Sequence, residues 1–222
     1  MKEINKIQEP NSLLQHRLKQ HSNYDNLPLV AKEELRINLL SEQGHICCYC
    51  MKRIPESTAP YMKVEHFKCQ DNFPDLQLRY SNLLGACTGN EGQPKRIQTC
   101  DTRKGNDDFS LHPVFSNPSC NTIFKYTADG RIICNDEELQ NEIDSILNLN
   151  NQSLIDQRAE VFDNISSVVE SESKKQKDRK VKLKYFENLL LEWTTPNVNG
   201  KLKPFCMVAV YYLNKKIRQN QN

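Results

Sequence analysis

The residues able to do chemistry crowd one stretch, Cys47 to Asn106. It opens Cys47-Cys48-Tyr49-Cys50, passes Val64-Glu65-His66-Phe67 and Asn82, and ends Cys87, then Cys100-Asp101-Thr102-Arg103-Lys104-Gly105-Asn106. A Cys-x-x-Cys with an aromatic residue inside is a tight knuckle that aims two sulfurs at one ion. Cys47 and Cys50 form one pair, and Cys87 and Cys100 a second. Four thiolates around Zn²⁺ make a closed tetrahedral site, structural because no position is left for water. In so small a core the metal supplies folding energy that apolar burial does not. Twelve residues, not two, lie between Cys87 and Cys100, and four buried thiols without a metal is the alternative.

The Glu65-His66 pair points to a second kind of chemistry. Hydrolysing a phosphodiester needs a base for water and a cation for the developing charge. Histidine, with an ordinary pKa of about 6.5, fits the base. An adjacent carboxylate can hold Mg²⁺, a hard cation that prefers oxygen. Asn82 can bond the backbone of the histidine-bearing strand, and Asp101, directly after a cysteine, offers a second oxygen. Taken singly, a Glu-His pair or an Asn in an apolar segment is as well explained by ordinary turns and surfaces. Their placement between two thiol pairs is what raises the catalytic reading over a non-catalytic zinc module that recognises nucleic acid or a partner protein.

These residues need elements to hold them. Residues 30–43 read as a helix with Leu35, Leu39 and Leu40 on one stripe and Gly44 as its stop. Met51–Ile54 and Tyr61–His66 read as short strands around the Pro55–Pro60 loop, and Tyr80–Leu84 as a buried apolar segment. Asp101–Asn106 should begin a short helix. Asp129-Gly130 signals a hairpin within Thr122–Cys134. Three helices then follow: one capped by Asn135 with Glu138, one by Ser153, and one from about Ser173 to Trp193. Phe205–Leu213 reads as a buried last helix. The fold class is α+β. The expected division is an N-terminal lead-in over 1–29, a nuclease core with a zinc site over 30–115, and a hairpin plus helical region over 116–222.

Composition excludes little but orders the choices. The chain has 222 residues and a formal net charge of +2, so nucleic-acid binding must come from local patches. Lys95 and Arg96, between the second pair of cysteines, and Arg103 and Lys104 are candidate phosphate contacts. The basic run Lys174–Lys184 is another, and a solvated helix face explains it equally well. Nine cysteines without a secretion signal favour metal ligation over disulfides and a cytoplasmic protein, and no apolar run approaches the roughly 20 residues that span a bilayer.

Together, Cys-x-x-Cys, Glu-His, Asn, Cys and Cys-Asp-x-x-Lys-Gly resemble the HNH endonuclease family. The resemblance implies a ββα-metal core over residues 30–108. It makes His66 the general base, Glu65 and Asp101 the Mg²⁺ or Mn²⁺ ligands, and Asn82 the middle asparagine. It makes Cys47, Cys50, Cys87 and Cys100 the zinc ligands and Lys104 the basic residue of the metal helix. Two departures stand out: the long Cys87–Cys100 insertion, and no histidine at the family's third position, for which His112 is the nearest candidate. The longer motifs are similar to the HNH branch found in retron and Septu anti-phage systems. That branch implies a nucleic-acid substrate, DNA or RNA including tRNA, and an ABC/SMC-like ATPase partner.

Overall fold

A computed structural model describes residues 1–58 and 60–221; Ala59, in the expected 55–60 loop, and Asn222 lie outside it. Its elements are helices and two very small sheets, which agrees with the α+β expectation. Helices α1 (Asn11–Arg17) and α2 (Leu29–Glu42) come first, then strands β1 (Lys63–His66) and β2 (Leu83–Ala86) and helix α3 (Cys100–Lys104). Helix α4 (Cys120–Ile123), strands β3 (Lys125–Tyr126) and β4 (Ile132–Ile133), and helices α5 (Glu137–Ser145), α6 (Gln152–Lys175), α7 (Arg179–Thr194) and α8 (Cys206–Gln221) follow.

Strands β1 and β2 pair antiparallel, with Glu65 opposite Leu84 and His66 opposite Leu83. The expected Met51–Ile54 strand does not form. Only one bridge, Ile46 to Arg53, closes that turn, because Met51 sits at a φ of 65°, where a strand cannot continue. The partner of β1 comes instead from the buried apolar segment after Asn82. Helix α2 ends as expected: Gln43 caps it and Gly44 follows at a φ of 60°. A Cβ on Gly44 would lie 2.6 Å from the Leu202 side chain, so glycine serves both the turn and the packing.

The C-terminal caps differ from expectation by a residue or two. Asp136, not Asn135, caps α5 by accepting from Leu139 N–H, and Asn151, not Ser153, caps α6. Helix α6 runs through Ser173, since its apolar stripe through Ile165 and Val169 is uninterrupted. Gln176 then turns extended, and Asp178 starts α7 by accepting from Lys180 and Val181 N–H.

One apolar core crosses the expected boundaries at 29/30 and 115/116, joining Met1, Leu13, Leu35, Ile46, Leu83, Phe109 and Val208. A smaller cluster holds α6, α7 and α8 together through Ile165, Phe186 and Leu213. The loop into α8 returns to the knuckle: Leu202 N–H donates to Gly44 O at 3.0 Å and Phe205 N–H to Met51 O at 3.0 Å. Among the described residues, no helix is long and apolar enough to cross a membrane.

Candidate active site and metal centre

The Sγ atoms of Cys47, Cys50, Cys87 and Cys100 all lie within 4.8 Å of one another and are buried. Cys50 to Cys87 and Cys87 to Cys100 are each 3.8 Å apart. A tetrahedron with Zn–S bonds of about 2.3 Å has S···S edges of about 3.8 Å, so these two edges have the length expected in a metal tetrathiolate. A disulfide would need about 2.05 Å, and all nine cysteines are free.

Local backbone explains how the chain brings these sulfurs together. Cys47 N–H donates to Lys52 O, Met51 N–H to Cys47 O, and Lys52 N–H to the Cys50 sulfur at 3.4 Å. The twelve residues between Cys87 and Cys100 form a closed excursion. Thr99 N–H donates to Gly89 O at 2.9 Å and Thr102 Oγ1 to Thr88 O at 2.8 Å, returning Cys100 to Cys87. Gly89 is obligatory there, since a Cβ would fall 2.1 Å from Thr99 O. Cys100 itself has a φ of 56°, an uncommon value for a non-glycine residue, held within the sulfur cluster. Burial would raise the Cys47 thiol, yet hydrogen bonds from Cys100, Cys48, Cys50 and Cys87 bring it well below the usual range. Hydrogen bonding to Cys47, Cys50 and Cys87 pushes Cys100 the opposite way.

Beside the quartet lies a buried carboxylate. Glu65 is 1% exposed, and its Oε1 accepts from the Tyr49 hydroxyl at 2.7 Å and pairs with Lys104 Nζ at 3.0 Å. Burial and the adjoining Asp101 push the Glu65 carboxyl well above the usual range, against the pull of Lys104 and Tyr49. Asp101 goes the other way: burial would raise it, but the Glu65 hydrogen bond and Lys63 keep it below. The two carboxyls thus shift in opposite directions, and Asp101 is the one whose charged form the site favours. Lys63 Nζ lies 2.9 Å from Asp101 Oδ2 and 3.2 Å from Thr102 Oγ1.

His66 ends β1. Its Nε2 lies 3.0 Å from Gln77 O, which places the hydrogen on Nε2 and the lone pair on Nδ1. The Tyr24 ring meets it edge-on at 4.6 Å, and burial lowers its pKa to about 4, so the imidazole is neutral. Asn82 holds the turn after His66 rather than the ring: its Oδ1 accepts from Lys68 N–H at 2.8 Å, and its Nδ2 donates to Lys68 O and Leu76 O. An open cleft of about 470 Å³ is lined by Lys63, Glu65, His66, Asp71, Asp101 and Asn106.

The structure thus brings Glu65, His66, Asn82 and Asp101 to one hairpin and its cleft. Among the described residues, the cysteine quartet is the one group of three or more His, Cys, Asp or Glu donors close enough to share an ion. Lys104, expected to contact nucleic acid, is 2% exposed; its ammonium is held by Glu65 in the interior instead of meeting solvent. Arg103 is half-buried and donates to Ser145 O and Lys95 O, while Lys95 and Arg96 are exposed. His112 stacks on Phe67 at 4.1 Å and accepts from Val114 N–H, outside the cleft lining. Sequence reasoning missed Lys63 and the Tyr49 hydroxyl. The one signal for Lys63 is alternation along β1, which puts it on the same face as Glu65.

No family model matches the chain. Over 106 residues it is 30% identical to the Septu protein PtuB of Bacillus thuringiensis, covering 45% of this chain and 37% of that protein. Over 104 residues it is 32% identical to the retron Vc95 protein of Vibrio cholerae serotype O1 biovar El Tor that is named for an HNH endonuclease. That match covers 46% of this chain, which spans 47% of the relative. These two similarities relate the chain to HNH-type nucleases.

Proposed function

We propose that this chain, related to HNH-type nucleases, is a metal-dependent endonuclease that hydrolyses phosphodiester bonds of nucleic acid in an anti-phage defence system of the Septu or retron type. The observation that carries this reading is His66, a neutral imidazole with Nε2 on the Gln77 carbonyl, lining the same cleft as the charged Asp101. Nδ1 takes the proton of a water whose oxygen bonds to phosphorus as the opposite P–O ester bond breaks. Asn82 fixes the turn that leaves His66 through its bonds to Lys68, while the Gln77 carbonyl orients the ring.

Zn²⁺ on Cys47, Cys50, Cys87 and Cys100 is structural in this reading, and the 3.8 Å sulfur spacings support the fit. Glu65 and Asp101 both line the cleft and would hold Mg²⁺ or Mn²⁺, which when bound would neutralise charge at the leaving oxygen. Exposed Lys95 and Arg96 contact phosphates near the cleft. The substrate is DNA, or RNA including tRNA, and the partner is an ABC/SMC-like ATPase.

The test is Mg²⁺-dependent nicking of plasmid and RNA, with an EDTA control, run with and without the ATPase. His66→Ala should lower cleavage by about 10²- to 10⁴-fold while circular dichroism and zinc content stay unchanged. Retained cleavage by His66→Ala would overturn the mechanism. A non-catalytic zinc module would bind nucleic acid equally in both proteins and cut in neither.

A further inference from the structure

Residues 174–184 carry seven basic side chains, Lys174, Lys175, Lys177, Arg179, Lys180, Lys182 and Lys184, and one acidic, Asp178. That is a net +6 in a chain whose total is +2. Asp178 is already engaged as the α7 N-cap, accepting from Lys180 and Val181 N–H. Six of the seven are exposed, Lys182 partly so. Among the described residues none of them enters an ion pair, whereas Lys6, Lys63, Lys68, Lys104 and Lys203 all do. Arg179 Nε donates to Asn220 O, so the start of α7 meets the last turn of α8, where Arg218 adds a further cation. The positive end of the 16-residue α7 dipole has the same sign.

So much unpaired like charge repels itself, and a polyanion relieves it. The composition chooses which one. Protein interfaces are depleted in Lys and enriched in aromatic anchors, whereas six of these seven cations are lysines and Val181 is the one exposed apolar side chain in the run. Neutralising a phosphodiester backbone needs only such cations.

The position in the fold adds a length. Helix α6 begins beside the cysteine quartet, where Ser153 and Cys87 line one pocket, and ends at Lys175. Its 24 residues rise about 36 Å, the length of about one duplex turn.

We propose that the run 174–184, at the distal end of α6, is a second nucleic-acid contact that grips the sugar-phosphate backbone without reading bases, about one duplex turn from the metal end of the molecule. It rests on nucleic acid being the substrate of the cleft. The test uses the full zinc-loaded chain carrying His66→Ala, so that nothing is cut, with and without Lys177→Gln, Lys180→Gln and Lys184→Gln together. These side chains are exposed, and circular dichroism with zinc content checks the fold. Anisotropy of a labelled duplex DNA and of a structured RNA, both several turns long, is followed across salt. The triple variant should flatten the slope of log K against log salt by about 2.7 on duplex DNA, and by a comparable amount on RNA, and bind on the order of 10²-fold more weakly near 0.1 M salt. Flattening on either nucleic acid supports the proposal, and unchanged slopes on both overturn it. Lost binding to phosphatidylglycerol vesicles with both slopes unchanged would overturn it in favour of a lipid surface. Because the series involves no cleavage, its failure leaves the His66 test standing, and a failed His66 test leaves the salt slopes standing.

Discussion

At Lys104 Nζ three oxygens converge: Glu65 Oε1 at 3.0 Å, His66 O at 3.4 Å and Gly105 O at 3.5 Å. The ammonium ties helix α3 to strand β1 directly behind the proposed base. Removing one partner of a buried ion pair costs about 3–5 kcal/mol. Lys104→Met keeps the aliphatic stem, and the Glu65 carboxyl already favours a proton, so a loss of about 3 kcal/mol is expected in urea unfolding. A surface phosphate contact would show no such loss of stability. The sequence displayed Lys104 as a charge next to a cysteine-anchored helix; it could not display its partner, because Glu65 lies 39 positions away and the pair forms only when β1 packs on α3. The cysteine spacing and the Glu65-His66 step were legible because each is local. The Tyr49 hydroxyl was not, because an aromatic inside a knuckle serves packing equally well.

The hairpin of β3 and β4 is the clearest case at the scale of an element. Asp129-Gly130 marks it in sequence, and Gly130 turns at a φ of 88°. Its tip presses on α6, where a Cβ on Gly130 would lie 2.0 Å from Ile155 O and 2.8 Å from Ala159 N. Arg158, 1% exposed, donates to Gly130 O at 2.6 Å and to Leu149 O at 2.8 Å, fastening the tip. Gly130→Ala meets both a left-handed φ and a backbone wall, and should cost at least about 2 kcal/mol by thermal unfolding. The same change at Gly92, whose φ of 78° faces open space, tests the conformational part alone and should cost less. Helix existence was legible from apolar periodicity, but the caps were not: Asn135, Asp136, Asn151 and Ser153 are all competent caps, and tertiary packing selects among them. The pairing of β1 with β2 was missed for a related reason, since β2 has only four residues, all buried, and shows no alternation.

Over the whole molecule, the cysteine quartet sits in the larger apolar core, not on an appendage. Structural zinc contributes an apparent 10–16 kcal/mol in small metallo-domains, as much as or more than the net 5–15 kcal/mol that keeps a typical domain folded. Chelation, or Cys87→Ser, should therefore lower the melting temperature of the entire chain in one transition and reduce bound zinc from about one per chain. A first transition confined to a fragment would show that the helical half stands alone.

The return of residues 202–205 to the knuckle has a consequence for optical spectroscopy. The chain holds a single tryptophan, Trp193, partly covered by the Lys203 ammonium 4.7 Å from its ring centroid. Lys203 follows Leu202, whose N–H is bonded to Gly44 O just before the first cysteine pair. The indole is thereby a native fluorophore wired to the sulfur cluster, and its emission should redden as the ion is stripped, with no label attached.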